Sequence, residues 1–256
     1  MLKRLRAQVA CHNWFAVAVD FAIVALGVFL GIQVSNWNEA RLDRADGKEY
    51  RQRLYSDLES NQRDIAFRIH YDGQSLAHAR AALHALDHPV GDSPGQFILD
   101  AYEASNHIPQ PLRRLTYDEA VAAGKAERLG DPDLREKVAN YYVDLGTFER
   151  LFDYTPPYRD LIRSALPFEA QEQAMKDCPE VLQADRFGNV TPRLADNCRS
   201  SMNSKAAERD AADVRRIPEL RWRLNRVVAD LNQNIVNARI VLDQAERLKR
   251  EVRPTI

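Results

Sequence analysis

Net charge is nearly absent from this chain: 36 Lys and Arg offset 37 Asp and Glu, leaving −1 over 256 residues. That removes the strongly basic footprint of a nucleic-acid binder. Glycine and proline are sparse, at 10 and 12 residues, which argues against collagen-like, low-complexity or disordered chains. Long alternations of Val, Ile, Thr and aromatic residues are missing, and with them the signature of an extensive sheet. No G-x-G-x-x-G, P-loop, H-E-x-x-H, C-x-x-C or G-x-S-x-G occurs, which weakens any reading as an enzyme. Charge is also missing locally, since between Trp14 and Trp37 the only ionisable residue is Asp20.

The uncharged stretch is what organises the chain. From Phe15 to Ser35 it reads FAVAVDFAIVALGVFLGIQVS, about 31 Å of helix at ~1.5 Å per residue, against a hydrocarbon core of about 30 Å. Trp14 and Trp37 flank the run as anchors for the two interfaces. The pattern predicts a short cytoplasmic N-terminus over 1–13, a transmembrane helix over 14–37 and a helical extracytoplasmic domain over 38–256. Lys3, Arg4 and Arg6 also suit the n-region of a cleaved signal peptide. Such a peptide has an h-region of roughly 7–15 residues and a small-x-small cleavage site, which this run lacks. An uncleaved signal anchor is the expectation.

Orientation rests on two opposing signals. Arg41, Arg44, Lys48, Arg51 and Arg53 lie just after the span and outnumber the basic residues before it, which alone opposes export of the C-terminal domain. Long domains are translocated largely regardless of such charges. Cys178 and Cys198 bracket a segment holding Pro179, Gly188, Asn189 and Pro192, read as a loop that a disulfide closes. Paired cysteines at the ends of one loop fit an oxidising compartment. Cys11, ahead of the span, would remain reduced on the cytoplasmic side.

Beyond the span, apolar residues recur at three and four positions, so the expected fold class is all-α. Leu54, Leu58, Ile65, Ile69, Leu76 and Leu83 predict one long amphipathic helix running from the membrane to about Leu86, ended by His88-Pro89 and Gly91. Ser93-Pro94 opens a short helix through Tyr102. Thr116-Tyr117-Asp118-Glu119 has the form of a capping box for a helix ending near Gly124. Asp131-Pro132 and Thr155-Pro156 begin two more. Finally Leu220, Leu224, Val227, Leu231, Asn234, Ala238, Val241, Ala245, Leu248 and Val252 form a heptad seam, with Asn234 at a core position able to fix register. The seam can pair with the first long helix as a bundle, or with a second chain as a coiled coil. The matching length of Leu54 to Leu83 favours the bundle.

Asn36-Trp37-Asn38-Glu39 directly succeeds the span, and Thr116-Tyr117 through Gly124 leads into Asp133-Leu134-Arg135 and Asn140-Tyr141-Tyr142. In these segments the chain resembles an uncharacterised bacterial family of single-span membrane proteins, whose apolar helix runs into an NNWNE-type segment. Ser35 stands where the first Asn would be. The likeness covers mainly residues 14–60 and 115–145. It implies a single-pass protein of the bacterial inner membrane and no activity. With the cysteine argument, the C-terminal domain is placed in the periplasm.

Candidate chemistry is thin. His84 and His88 stand one turn apart with Asp87 beside them and His78 nearby, a spacing suited to Zn²⁺ or Cu²⁺. A third firm ligand is not evident, so no metal or other cofactor is expected. Carboxylate pairs such as Asp57/Glu59 and Asp118/Glu119 are too common among 37 acids to mark acid-base machinery. Trp222, between Arg221 and Arg223, offers a cation-π patch for anionic lipid or polysaccharide, although packing against the seam is the expected role. Within the span, Gly27 and Gly31 form G-x-x-x-G, and Asp20 falls near the same face. These three residues predict association with a second copy or another membrane protein. Two functions fit this pattern: a membrane-anchored structural or interaction module, and a ligand-sensing bundle that signals through a partner span.

Overall fold

The apolar run and the first amphipathic run join into a single helix. The computed structural model describes residues 14–88, 93–108, 111–152, 155–184 and 190–253. Its first element, α1 (Trp14–Asp87), is unbroken over 74 residues, about 110 Å at ~1.5 Å per residue. Residues 17–39 are exposed throughout, with Phe21 at 76%. This is the one helix among the described residues long and apolar enough to cross a membrane, and no other described part of the chain covers it. Burial begins at Gly47 and Tyr50, from which Leu54, Leu58 and Ile65 turn one face of α1 into core.

The remaining helices are α2 (Pro94–Glu103), α3 (Leu115–Ala122), α4 (Pro132–Phe152), α5 (Pro157–Ala165), α6 (Phe168–Asp177), α7 (Lys205–Arg215) and α8 (Leu220–Val252), with a 3₁₀ turn at Ala126–Leu129. The all-α reading holds, and the bundle is intramolecular. α8 runs antiparallel to α1, with Arg221 paired to Asp87 at one end and Lys249 Nζ donating to Gln62 Oε1 (2.7 Å) at the other. Leu220, Leu224, Val227, Ala238, Val241, Ala245, Leu248 and Val252 are buried along the seam. Asn234 is a correction: it is only half-buried, and Ile235 takes the core position. The exchange is local, since Ala238, Val241, Ala245, Leu248 and Val252 keep the predicted register beyond it.

Two hydrophobic clusters share the α1–α8 spine. The one nearer the uncovered apolar stretch joins Leu54, Leu58 and Ile65 to Tyr141, Tyr142, Leu145 and Phe148 of α4. The distal one joins Tyr71, Ala79 and Ala82 to Phe97, Ile98 and Leu99 of α2, Ile162 of α5 and Ala174 of α6. Asn61, fully buried, fastens the segment before α3: its Nδ2 donates to the Arg113 carbonyl (2.8 Å), and its Oδ1 accepts from the Arg113 N–H (2.6 Å).

Several helix starts obey their sequence signals. Ser93 Oγ accepts from the Gln96 N–H, and Asp131 Oδ1 accepts from the Leu134 N–H (2.9 Å). The capping box at Thr116 does not form. The N-cap falls two residues earlier, at Arg114, so α3 begins at Leu115 and Thr116 is buried within the first turn. Glu119 turns instead to α1, where it ion-pairs with Arg53. Gly124, at φ +66°, ends that segment as expected.

The region read as a loop between Cys178 and Cys198 contains a hairpin. β1 (Glu180–Ala184) and β2 (Val190–Leu194) pair antiparallel, Glu180 opposite Leu194 and Ala184 opposite Val190. Five residues per strand are too few to show a clear alternation. In a two-stranded sheet Pro192 also sits on an edge, where a missing N–H is tolerated. Gly188 and Asn189 lie outside the described residues. Cys178 and Cys198 are joined as a disulfide across the hairpin base, with Cα atoms 5.1 Å apart.

Candidate functional site

The hairpin sits against the distal part of the bundle because Gln74 of α1 donates to the Leu194 carbonyl (2.9 Å), and Leu194 is buried. Beneath it lies a cavity of about 330 Å³. α1 contributes Tyr71, α2 contributes Glu103, α5 contributes Arg159 and Arg163, and β1 contributes Glu180. The Tyr71 hydroxyl donates to Glu180 Oε1 (3.1 Å). Asn106 Nδ2 donates to Glu103 Oε2. Arg159 Nη1 donates to the Ser105 carbonyl (2.9 Å), while Arg163 donates to Ser105 Oγ (3.0 Å) and Asn106 Oδ1 (2.8 Å) and stacks over Tyr102 at 4.6 Å.

Burial dominates the electrostatics. It pushes the Glu103 carboxyl up to about 7, against the opposing pull of His78 and the Asn106 hydrogen bond. Tyr71 is raised by burial, then by the adjacent Glu180 charge. Arg159 is lowered by burial and by Arg163. A second cavity, of about 280 Å³, holds Asp72, Arg226, Asp230 and Asn234. There burial raises Asp72 to about 7, partly offset by Arg68.

The residues singled out in the sequence lie elsewhere. Asp20, Gly27 and Gly31 are on the uncovered part of α1, and a Cβ added at either glycine would meet nothing within 4 Å. Trp37 is exposed, with the Arg41 guanidinium 5.9 Å from its ring; the side chain of Trp14 and all of Cys11 lie outside the described residues. His84 and His88 are exposed at the end of α1 with rings stacked at 4.6 Å. Asp87 is engaged by Arg221, and His78 Nδ1 lies 2.7 Å from Asp100 Oδ1. His78 instead approaches Cys178 and Cys198, with the three potential ligand atoms within 4.8 Å, but both sulfurs are committed to the disulfide.

Trp222 corrects an expectation. It is 57% exposed, with Arg223 stacked on it at 4.8 Å. Leu220 and Leu224 occupy the seam, and a residue two places from each falls about 160–200° round the helix.

The cavity residues carried no motif. They come from separate elements, and the one local signal was the i, i+4 spacing of Arg159 and Arg163 on a short helix. In comparisons with known proteins, the chain matches no family model, no curated protein and no solved structure.

Proposed function

We propose that the protein is a membrane-anchored helical interaction module, held by a single span in a bacterial inner membrane with its bundle in the periplasm. The observation that carries the reading is the continuity of α1, which passes from an uncovered apolar stretch into the core of the bundle without a break. The Cys178–Cys198 disulfide supports an oxidising compartment, and the Asn36–Glu39 segment supports the bacterial membrane setting by resemblance. Asp20, Gly27 and Gly31 supply a surface for a second span, either another copy or a different membrane protein. No nucleic acid enters this reading.

Crosslinking and membrane two-hybrid assays on residues 15–35 and on the full chain test it. Gly27→Ile with Gly31→Ile, and separately Asp20→Leu, should weaken association; unchanged contacts would remove the membrane half of the proposal. Alkaline carbonate should leave the chain in the membrane. A phosphatase fused after Ile256 should be active.

A second reading, ligand sensing through a partner span, is favoured by the cavity wall. Tyr71 belongs to the same helix as the span, so an occupant would touch α1 directly.

A further inference from the structure

We infer that the cavity beside Tyr71 binds a small zwitterion of amino-acid size, carrying one carboxylate and one ammonium group. The inference deepens the sensing reading and rests on it. Arg159 and Arg163 stand one turn apart on α5, and neither forms an ion pair with a carboxylate among the described residues. A guanidinium has five N–H donors. Arg159 commits one to Ser105, and Arg163 commits two to Ser105 and Asn106, so donors remain on both for a planar carboxylate.

The same cavity holds two acids. Glu180 accepts from Tyr71 and Glu103 accepts from Asn106, and each carboxylate keeps lone pairs for an ammonium group. A simple anion would answer the guanidinium groups and leave Glu103 and Glu180 without a cation in ion-pair contact among the described residues. A simple amine would do the reverse, whereas a molecule bearing both groups satisfies both. Ile108, Met175 and Leu194 offer apolar contact for a short side chain. The volume of about 330 Å³ lies at the small end of ligand cavities and suits an amino acid or dipeptide. Burial raises Glu103, and an arriving ammonium would favour its ionised form.

The test uses the full chain in detergent micelles. Thermal shift against the twenty common L-amino acids, their D-forms and glycylglycine identifies a binder, and calorimetry then compares it with its amide and its N-acetyl derivative. The expected result is a loss of about tenfold or more for each derivative and for Arg159→Gln and Glu180→Gln. Arg159→Lys, which keeps the charge and loses the fork, serves if Arg159→Gln unfolds early, and should also weaken binding. Equal binding of the N-acetyl form or of acetate would overturn the zwitterion and leave the sensing reading standing. Undiminished binding by folded Arg159 and Glu180 variants would overturn the site. No shift with any probe would overturn this inference alone, since the sensing reading names no ligand class.

Discussion

Asp57, on α1, accepts a hydrogen bond from the backbone N–H of Thr116 in the first turn of α3 (3.2 Å). The Arg114 side chain, at the N-cap position, makes no capping bond, so a neighbouring helix supplies the acceptor that the local sequence does not. A carboxylate at that end also meets the positive pole of the α3 dipole. Asp57→Ala should therefore destabilise the bundle by about 1 kcal/mol, the usual cost of a lost cap. Denaturant melts of the full chain in detergent measure it, and Glu59→Ala on the same turn of α1 serves as the comparison.

The seam makes a sharper test. Ile235 is buried and Asn234 half-buried, so Ile235→Ala should cost about 2 kcal/mol or more through lost burial and a residual void. Asn234→Ala should change stability by about 0.5 kcal/mol or less. If the costs were reversed, the strict heptad register would be the correct one.

Stability should fall as pH rises from about 5 to 7. Burial raises Glu103 and Asp72 to about 7 in the folded chain, from unfolded values near 4.5 and 3.8. Between those limits the folded state binds more protons than the unfolded one, so the slope of stability with pH is negative there and flattens above 7. Each group contributes on the order of 1–3 kcal/mol. Glu103→Gln with Asp72→Asn should flatten the profile, as read by denaturant midpoints at pH 5 and pH 8.

Reduction should loosen the hairpin end of the molecule. Cys178 and Cys198 close a loop of sequence separation 20, for which the chain-entropy model gives roughly 3 kcal/mol. Cys178→Ser with Cys198→Ser should lower the melting temperature, and dithiothreitol should reproduce the effect in the unmodified chain only.

The features legible in the sequence were those that repeat with a helical period or begin with a local cap. The apolar stretch, the α1 face through Leu54, Leu58 and Ile65, and the α8 seam each repeat over many turns, so single ambiguous residues do not mislead. Ser93-Pro94 and Asp131-Pro132 carry their capping acceptors within three residues. Thr116 misled because the same four-residue pattern is compatible with a helix capped by Asp57, 59 positions away. The hairpin was hidden by its brevity and by Pro192. Tyr71, Glu103, Arg159, Arg163 and Glu180 could not be gathered from the sequence, since only the folded packing of four elements brings them to one cavity. Trp222 departs from the usual place of a large aromatic residue in a core because Leu220 and Leu224 already fill the seam on either side of it.

A helix without a joint also fixes a rotational phase. α1 advances by about 100° per residue, and the segment 38–46 between its uncovered apolar part and its bundle part carries no break. With the apolar stretch seated in a bilayer, one alanine inserted there would turn every bundle face by about 100° relative to the Gly27 stripe, while seven would return it almost to its starting azimuth. Insertions of one to seven residues would thus scan the bundle round the axis like the hand of a dial. Any task that needs span and bundle to face the same neighbour should vanish and return with helical periodicity along that series.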